Sequence, residues 1–137
     1  MNCYARGFRW AVVIGILQDW LFAIPGIVIP HAVLLFAGAD PVPQPVWPAY
    51  AFLLLLLLSL VYIPAAVDPY KYSFFAALTV LARVAGVIFF FVIWPGAFPP
   101  LPGYIDLGLT VVQGTLLLLA FVTAGPVVPP VPVPTRR

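Results

Sequence analysis

Two charged side chains stand inside apolar runs where the surrounding residues leave them no water. Asp19 falls in WAVVIGILQDWLFAIPGIVI and Arg83 in SFFAALTVLARVAGVIFFFVI. A charge at the centre of a bilayer costs about 2.5 to 3.5 kcal/mol on insertion scales, so each needs a partner, a cavity or a route to the surface. Asp19 is about eleven residues into its run and Arg83 about ten into its own, which at 1.5 Å per residue puts both about 15 Å below the same surface. Equal depth predicts an Asp19–Arg83 ion pair, because a bare carboxylate or guanidinium there is far less stable than a hydrogen-bonded pair. Gln18 and Gln113 are expected at the same level. This intramembrane polar layer admits two chemistries: a structural tie that fixes helix pairing and rotation, or a proton or anion relay. One acid and one base that neutralise each other favour the tie.

The remaining reactive residue types are few. Asp106 is expected in the first turn of the last helix, where a carboxylate complements the helix dipole and caps exposed amides. Asp68 and Pro69 read as a turn and cap between two spans. His31 is the single histidine and Cys3 the single cysteine. A lone histidine without a second His, a Cys or a carboxylate pair at ligand spacing is expected to be a surface residue, not a metal or haem ligand. A lone cysteine closes no internal disulfide and builds no thiolate cluster. No glycine-rich phosphate loop, Ser/His/Asp set or pair of catalytic carboxylates can be assembled. The sequence therefore predicts no catalytic, cofactor-binding or metal-binding residues and no enzyme.

The elements that must position these groups follow from composition. Of 137 residues, 64% are hydrophobic and 7% charged, with a mean hydropathy of +1.14, whereas a soluble domain is roughly 25% charged. A soluble globule is excluded, and so is intrinsic disorder, which needs low hydrophobicity with high charge. The net charge of +2 is dispersed, which argues against nucleic acid as a partner. A bilayer core about 30 Å thick takes about 20 apolar residues of helix. The prediction is an all-α polytopic membrane protein: a four-helix transmembrane bundle over residues 1–125, with spans at about 8–24, 46–67, 73–93 and 104–124. Pro25 and Gly26 are expected to end or kink the first span, and Pro30 to start a short outer interfacial helix. The first run is too long for a signal peptide and reads as a retained helix. Residues 126–137 form a proline-spaced tail that favours polyproline II.

Arg6, Arg9, Lys71, Arg136 and Arg137 flank the spans on one side, and the two opposite loops hold no Lys or Arg. By the positive-inside rule both termini of this multi-pass membrane protein are expected to be cytoplasmic. Small residues share the stripes of the polar groups. Gly15, Ala23 and Gly26 lie with Asp19, and Ala76, Thr79 and Gly86 with Arg83, which allows close helix approach. The interior is expected from the first, third and fourth spans, with the leucine-rich second span giving bulk and Ser59 as its mid-span hydroxyl.

The stretch YIPAAVDPYKY, Tyr62 to Tyr72, followed by LARVAGVIFF, Leu81 to Phe90, resembles a pattern in small four-helix bacterial inner-membrane proteins of unassigned function. The resemblance implies the same four-span fold, with Asp68, Pro69 and Arg83 as signature positions, and brings no activity with it. In size the chain is also similar to the small extra subunits of respiratory and photosynthetic membrane complexes. The expected function is a non-enzymatic accessory or assembly subunit, with the lipid bilayer and a larger membrane complex as partners and the second span as docking face. The alternative is a small oligomeric transporter or channel component with Asp19, Arg83, Asp106 and Gln113 along a midplane path.

Overall fold

The computed structural model describes residues 2–40, 42–93 and 101–124. Its elements in chain order are α1 (Cys3–Val28), α2 (Pro30–Phe36), α3 (Val46–Val61), α4 (Ile63–Val67), α5 (Ser73–Ile88) with a π-helical turn at Phe89–Ile93, and α6 (Leu101–Val122). Four stretches are long and apolar enough to cross a membrane: α1, α3 with α4, α5 with its π turn, and α6. The protein is thus an all-α polytopic membrane protein with a fifth, shorter helix, α2. The expected tail at 126–137 and most of the loop after the third span lie outside the described residues.

α1 is the axis of the bundle and packs against α2, α3, α4 and α6, while α5 packs against α4 and α6. α1 begins five residues before the expected Phe8 because Asn2 caps it, its side-chain oxygen accepting from the Ala5 amide at 2.9 Å. The Asn2 side-chain amide also donates to the Ala120 carbonyl at 3.0 Å and to Thr123 at 2.7 Å. One residue so joins the first turn of α1 to the last turn of α6. The helix also runs on through Pro25 to Val28, four residues past the expected end. Proline removes a single amide and is tolerated within spans whose neighbours support the freed backbone. At the next residue α3 packs directly on the helix, with the Phe52 ring lying where a β-carbon at Gly26 would stand.

The second span is not one helix. Pro64, without an amide to give, starts α4 at its N-terminal turn, and the Tyr62 amide closes the break by donating to the Ser59 carbonyl at 3.2 Å. The core formed by Phe8, Val12, Ile16, Tyr62, Ala65 and Ala76 fills the half of the bundle nearest the chain's first turn. Arg6, Arg9 and Lys71 all belong to this end. Arg9 donates to the Ala66 carbonyl at 2.7 Å, and Tyr70 donates to the Ala120 carbonyl at 3.0 Å. In the turn between α4 and α5, Asp68 accepts from the amides of Tyr70 and Lys71 at 3.0 and 3.1 Å, and Pro69 is buried beneath it.

Candidate functional site: an ion cluster at the floor of a cavity

Arg83 projects from α5 into the middle of the bundle and is 5% exposed. Its Nη2 lies 2.6 Å from Asp19 Oδ2 on α1, and its Nη1 lies 2.8 Å from Asp106 Oδ1 on α6. Nη2 also donates to the Gly15 carbonyl at 3.3 Å, and Nη1 to Gln18 Oε1 at 3.4 Å. The guanidinium fork is thus divided between two carboxylates on different helices, a geometry its planar donor array permits and a lysine ammonium does not fix.

Asp106 corrects the expectation of a first-turn cap. α6 starts at Leu101, with Pro102 in its first turn, three residues before the expected Tyr104, and no acidic residue lies in the first turn. Asp106 therefore sits in the second turn and faces α5 across Gly86, where a β-carbon would overlap its carboxylate. Gly15 serves Arg83 in the same way. A β-carbon there would come within 3.2 Å of Nη2 and 3.1 Å of Gln113 Nε2.

Gln113 lies beside the ion cluster. Its Nε2 donates to the Ala11 carbonyl at 3.0 Å, and the β-carbon position of Gly15 is within 3.1 Å of that Nε2 and 3.2 Å of Arg83 Nη2. Gln113 ties α6 to α1 at the edge of the cluster. Trp20, an indole placed near mid-membrane, meets the buried Ser59 hydroxyl at 2.7 Å, and Ser59 passes its own proton to the Leu56 carbonyl at 2.6 Å.

Above the cluster, on the side away from the Phe8 core, a cavity of about 790 Å³ opens between α1, α2, α3, the π turn and the start of α6. Asp19, Asp106, Arg83 and Gln18 form its floor, Phe22, Phe52, Phe89 and Phe90 stand in its walls, and Asp40, Gln44 and Trp47 line its α2 end. The segment after α2 is held there by the contact of His31 Nε2 with the Val42 carbonyl at 2.9 Å, and it turns at Gly38, whose φ is 79°. Below the cluster the space is closed. Ile16, Val12 and Phe8 lie about one, two and three turns beneath Asp19 on the same stripe of α1, each buried in the core. Among the described residues, the ion cluster and this core close the inner end of the cavity.

Among the described residues, no group of three or more His, Cys, Asp or Glu is placed to hold a metal ion. Four buried side-chain polar atoms among the described residues have no hydrogen-bond partner: Asp19 Oδ1, Arg83 Nε, Thr110 Oγ1 and Gln113 Oε1. Sequence reasoning singled out Asp19 and Arg83 from their equal depth. It passed over the Asp106 contact, for which the Arg83-to-Gly86 spacing and the Pro102 helix start were the available signals, and nothing in the sequence announced the cavity. Comparison with protein-family models, with curated proteins and with solved structures finds no match to this chain.

Proposed function

We propose that the protein is a non-enzymatic accessory or assembly subunit that completes its packing within a larger complex of the bacterial inner membrane. The observation that carries this reading is the lopsided burial of the bundle. In the most apolar window of each span, 39% of α1 is buried, against 17% for α3 with α4, 17% for α5 with its π turn and 11% for α6. The second and fourth spans pack on the first, the third packs on α4 and α6, and all three keep broad outward faces. Between α5 and α6 one of those faces is recessed, with Ala77 and Gly114 among the residues lining a groove that Phe74, Leu81, Leu118 and Phe121 also border.

Helix association in lipid depends on close van der Waals packing at small residues, since lipid tails are as apolar as leucine. The α5/α6 groove meets that requirement, whereas the exposed face of α3 presents Leu53, Leu54, Leu57 and Leu58 without a small residue among them. The docking face is therefore assigned to α5 and α6, and the leucines of α3 to lipid. The positive end of the bundle, with Arg6, Arg9 and Lys71, faces the cytoplasm.

Extraction in a mild detergent tests this directly. A stoichiometric larger complex that cross-links through a photoreactive residue at Ala77 or Leu118 is the expected result. Recovery only as a monomer overturns the reading. Recovery as a self-oligomer favours the second reading, a small oligomeric transporter component, for which the cavity reaching Asp19 and Arg83 is the specific support.

A further inference from the structure

The cavity and its floor carry an inference that does not depend on which complex the protein joins. Four ionisable side chains line the cavity among the described residues: Asp19, Asp40, Asp106 and Arg83. Three are acids and one is a base. At the floor Arg83 gives one η-nitrogen to each of Asp19 and Asp106, which leaves two carboxylates facing a single guanidinium. Asp19 is 1% exposed and its Oδ1 is buried with no hydrogen-bond partner. Asp19 Oδ2 is already met by Arg83, so what stands at the floor is one carboxylate more than the guanidinium balances, and such an excess at the closed end of an apolar chamber is unfavourable unless a further cation meets it.

The walls suit the same guest. Phe22, Phe52, Phe89 and Phe90 are spread over α1, α3 and the π turn, so that aromatic rings enclose the chamber from several sides. Aromatic faces attract cations through the ring quadrupole, and the attraction grows when water is excluded. Asp40 and Trp47 repeat the pairing of carboxylate and aromatic ring at the α2 end. The volume, about 790 Å³, lies within the usual span of roughly 300 to 1,000 Å³ for small-molecule sites.

We propose that this cavity binds an amphiphilic monovalent organic cation, with its positive head against Asp19 and Asp106 and its apolar body between the phenylalanine rings. The blind inner end makes it a binding site and not a conduit. Asp40 draws the cation to the opening, and the π turn widens α5 where the body of the guest lies.

The test uses the full chain in lipid nanodiscs and two probes of nearly equal shape and opposite charge, tetraphenylphosphonium and tetraphenylborate, measured by equilibrium dialysis. Saturable binding of one tetraphenylphosphonium per chain, with tetraphenylborate bound at least about tenfold more weakly, is expected from coulombic attraction to the excess carboxylate and from the aromatic walls. Asp19→Asn should weaken tetraphenylphosphonium by roughly tenfold or more, since the excess negative charge is lost. Ala51 of α3 also lines the cavity and belongs to neither ion pair, so Ala51→Trp should fill the chamber and abolish binding while helix content by circular dichroism stays unchanged. It keeps the proposal open to refutation where Asp19→Asn fails to fold. Equal binding of both ions would show an apolar chamber without charge selection. Preference for tetraphenylborate would show that Arg83 governs the site, and non-saturable uptake of both, unaffected by Ala51→Trp, would show partition into lipid. Each of these three results overturns the proposal.

Discussion

At the scale of single residues, Arg83 is the side chain on which most depends, because it is the common partner of Asp19 and Asp106. Arg83→Ala removes one cation and strands two carboxylates, so it should destabilise the bundle by roughly 3 to 5 kcal/mol in detergent unfolding, the usual cost of breaking a buried pair from one side. The neutral combination Asp19→Asn, Arg83→Gln and Asp106→Asn should recover much of that loss, since amides at one level can hydrogen-bond to each other. A harmless Arg83→Ala would show that the cluster bears no structural load. Gly86→Ala is the subtler probe. The new β-carbon takes the place of the Asp106 carboxylate, which must rotate away from Arg83. The loss of one charged hydrogen bond predicts a destabilisation of about 1.5 to 3 kcal/mol, which unfolding titration in mixed micelles reads directly. The Asp19–Arg83 contact was legible because depth in a helix follows from counting residues. Asp106 was not, because its depth depends on where α6 begins, and a helix start preceded by a proline-rich loop is ambiguous by several residues.

At the scale of elements, hydrophobic run length set the number of spans and their middles, while their ends and breaks were set by contacts made far away in sequence. Pro25 was expected to stop α1, yet the helix continues to Val28 against Phe52. Pro64, inside a run read as one helix, divides it into α3 and α4. The same proline chemistry gives different outcomes by position: Pro25 lies inside α1, next to the close Gly26–Phe52 contact, whereas Pro64 takes a first-turn position, where a missing amide breaks no helical hydrogen bond. The Trp20–Ser59 hydrogen bond is the clearest tie between α1 and α3. A double-mutant cycle with Trp20→Phe and Ser59→Ala should return a coupling near the average of about 0.6 kcal/mol for polar contacts between membrane helices. Strict additivity would mean that the indole and hydroxyl are interchangeable with their apolar counterparts, and that apolar packing holds α1 and α3 together.

At the scale of the whole molecule, the two ends of the bundle differ in chemistry and in closure. One end gathers Arg6, Arg9 and Lys71, is clasped by the Asn2 and Tyr70 hydrogen bonds to Ala120, and is filled by the Phe8 core. The other end carries α2 and the Asp40 segment and opens into the cavity. The charge asymmetry was legible in the sequence, since the flanking cations alternate with the spans. The cavity was not, because its lining is drawn from α1, α2, α3, the π turn and α6 together, and no single residue encodes that. Orientation joins the two properties: if cations mark the cytoplasmic side, the cavity opens towards the outside of the cell. Cysteine labelling decides this. With the exposed Cys3 first replaced by Ser, Gln44→Cys should react with a membrane-impermeant maleimide on intact cells, and Lys71→Cys should react only after the membrane is permeabilised. Both positions are exposed in the structure, so protection of either would come from the membrane and not from the fold. The reverse pattern would turn the cavity to the cytoplasm, and a guest cation would then be drawn from inside the cell.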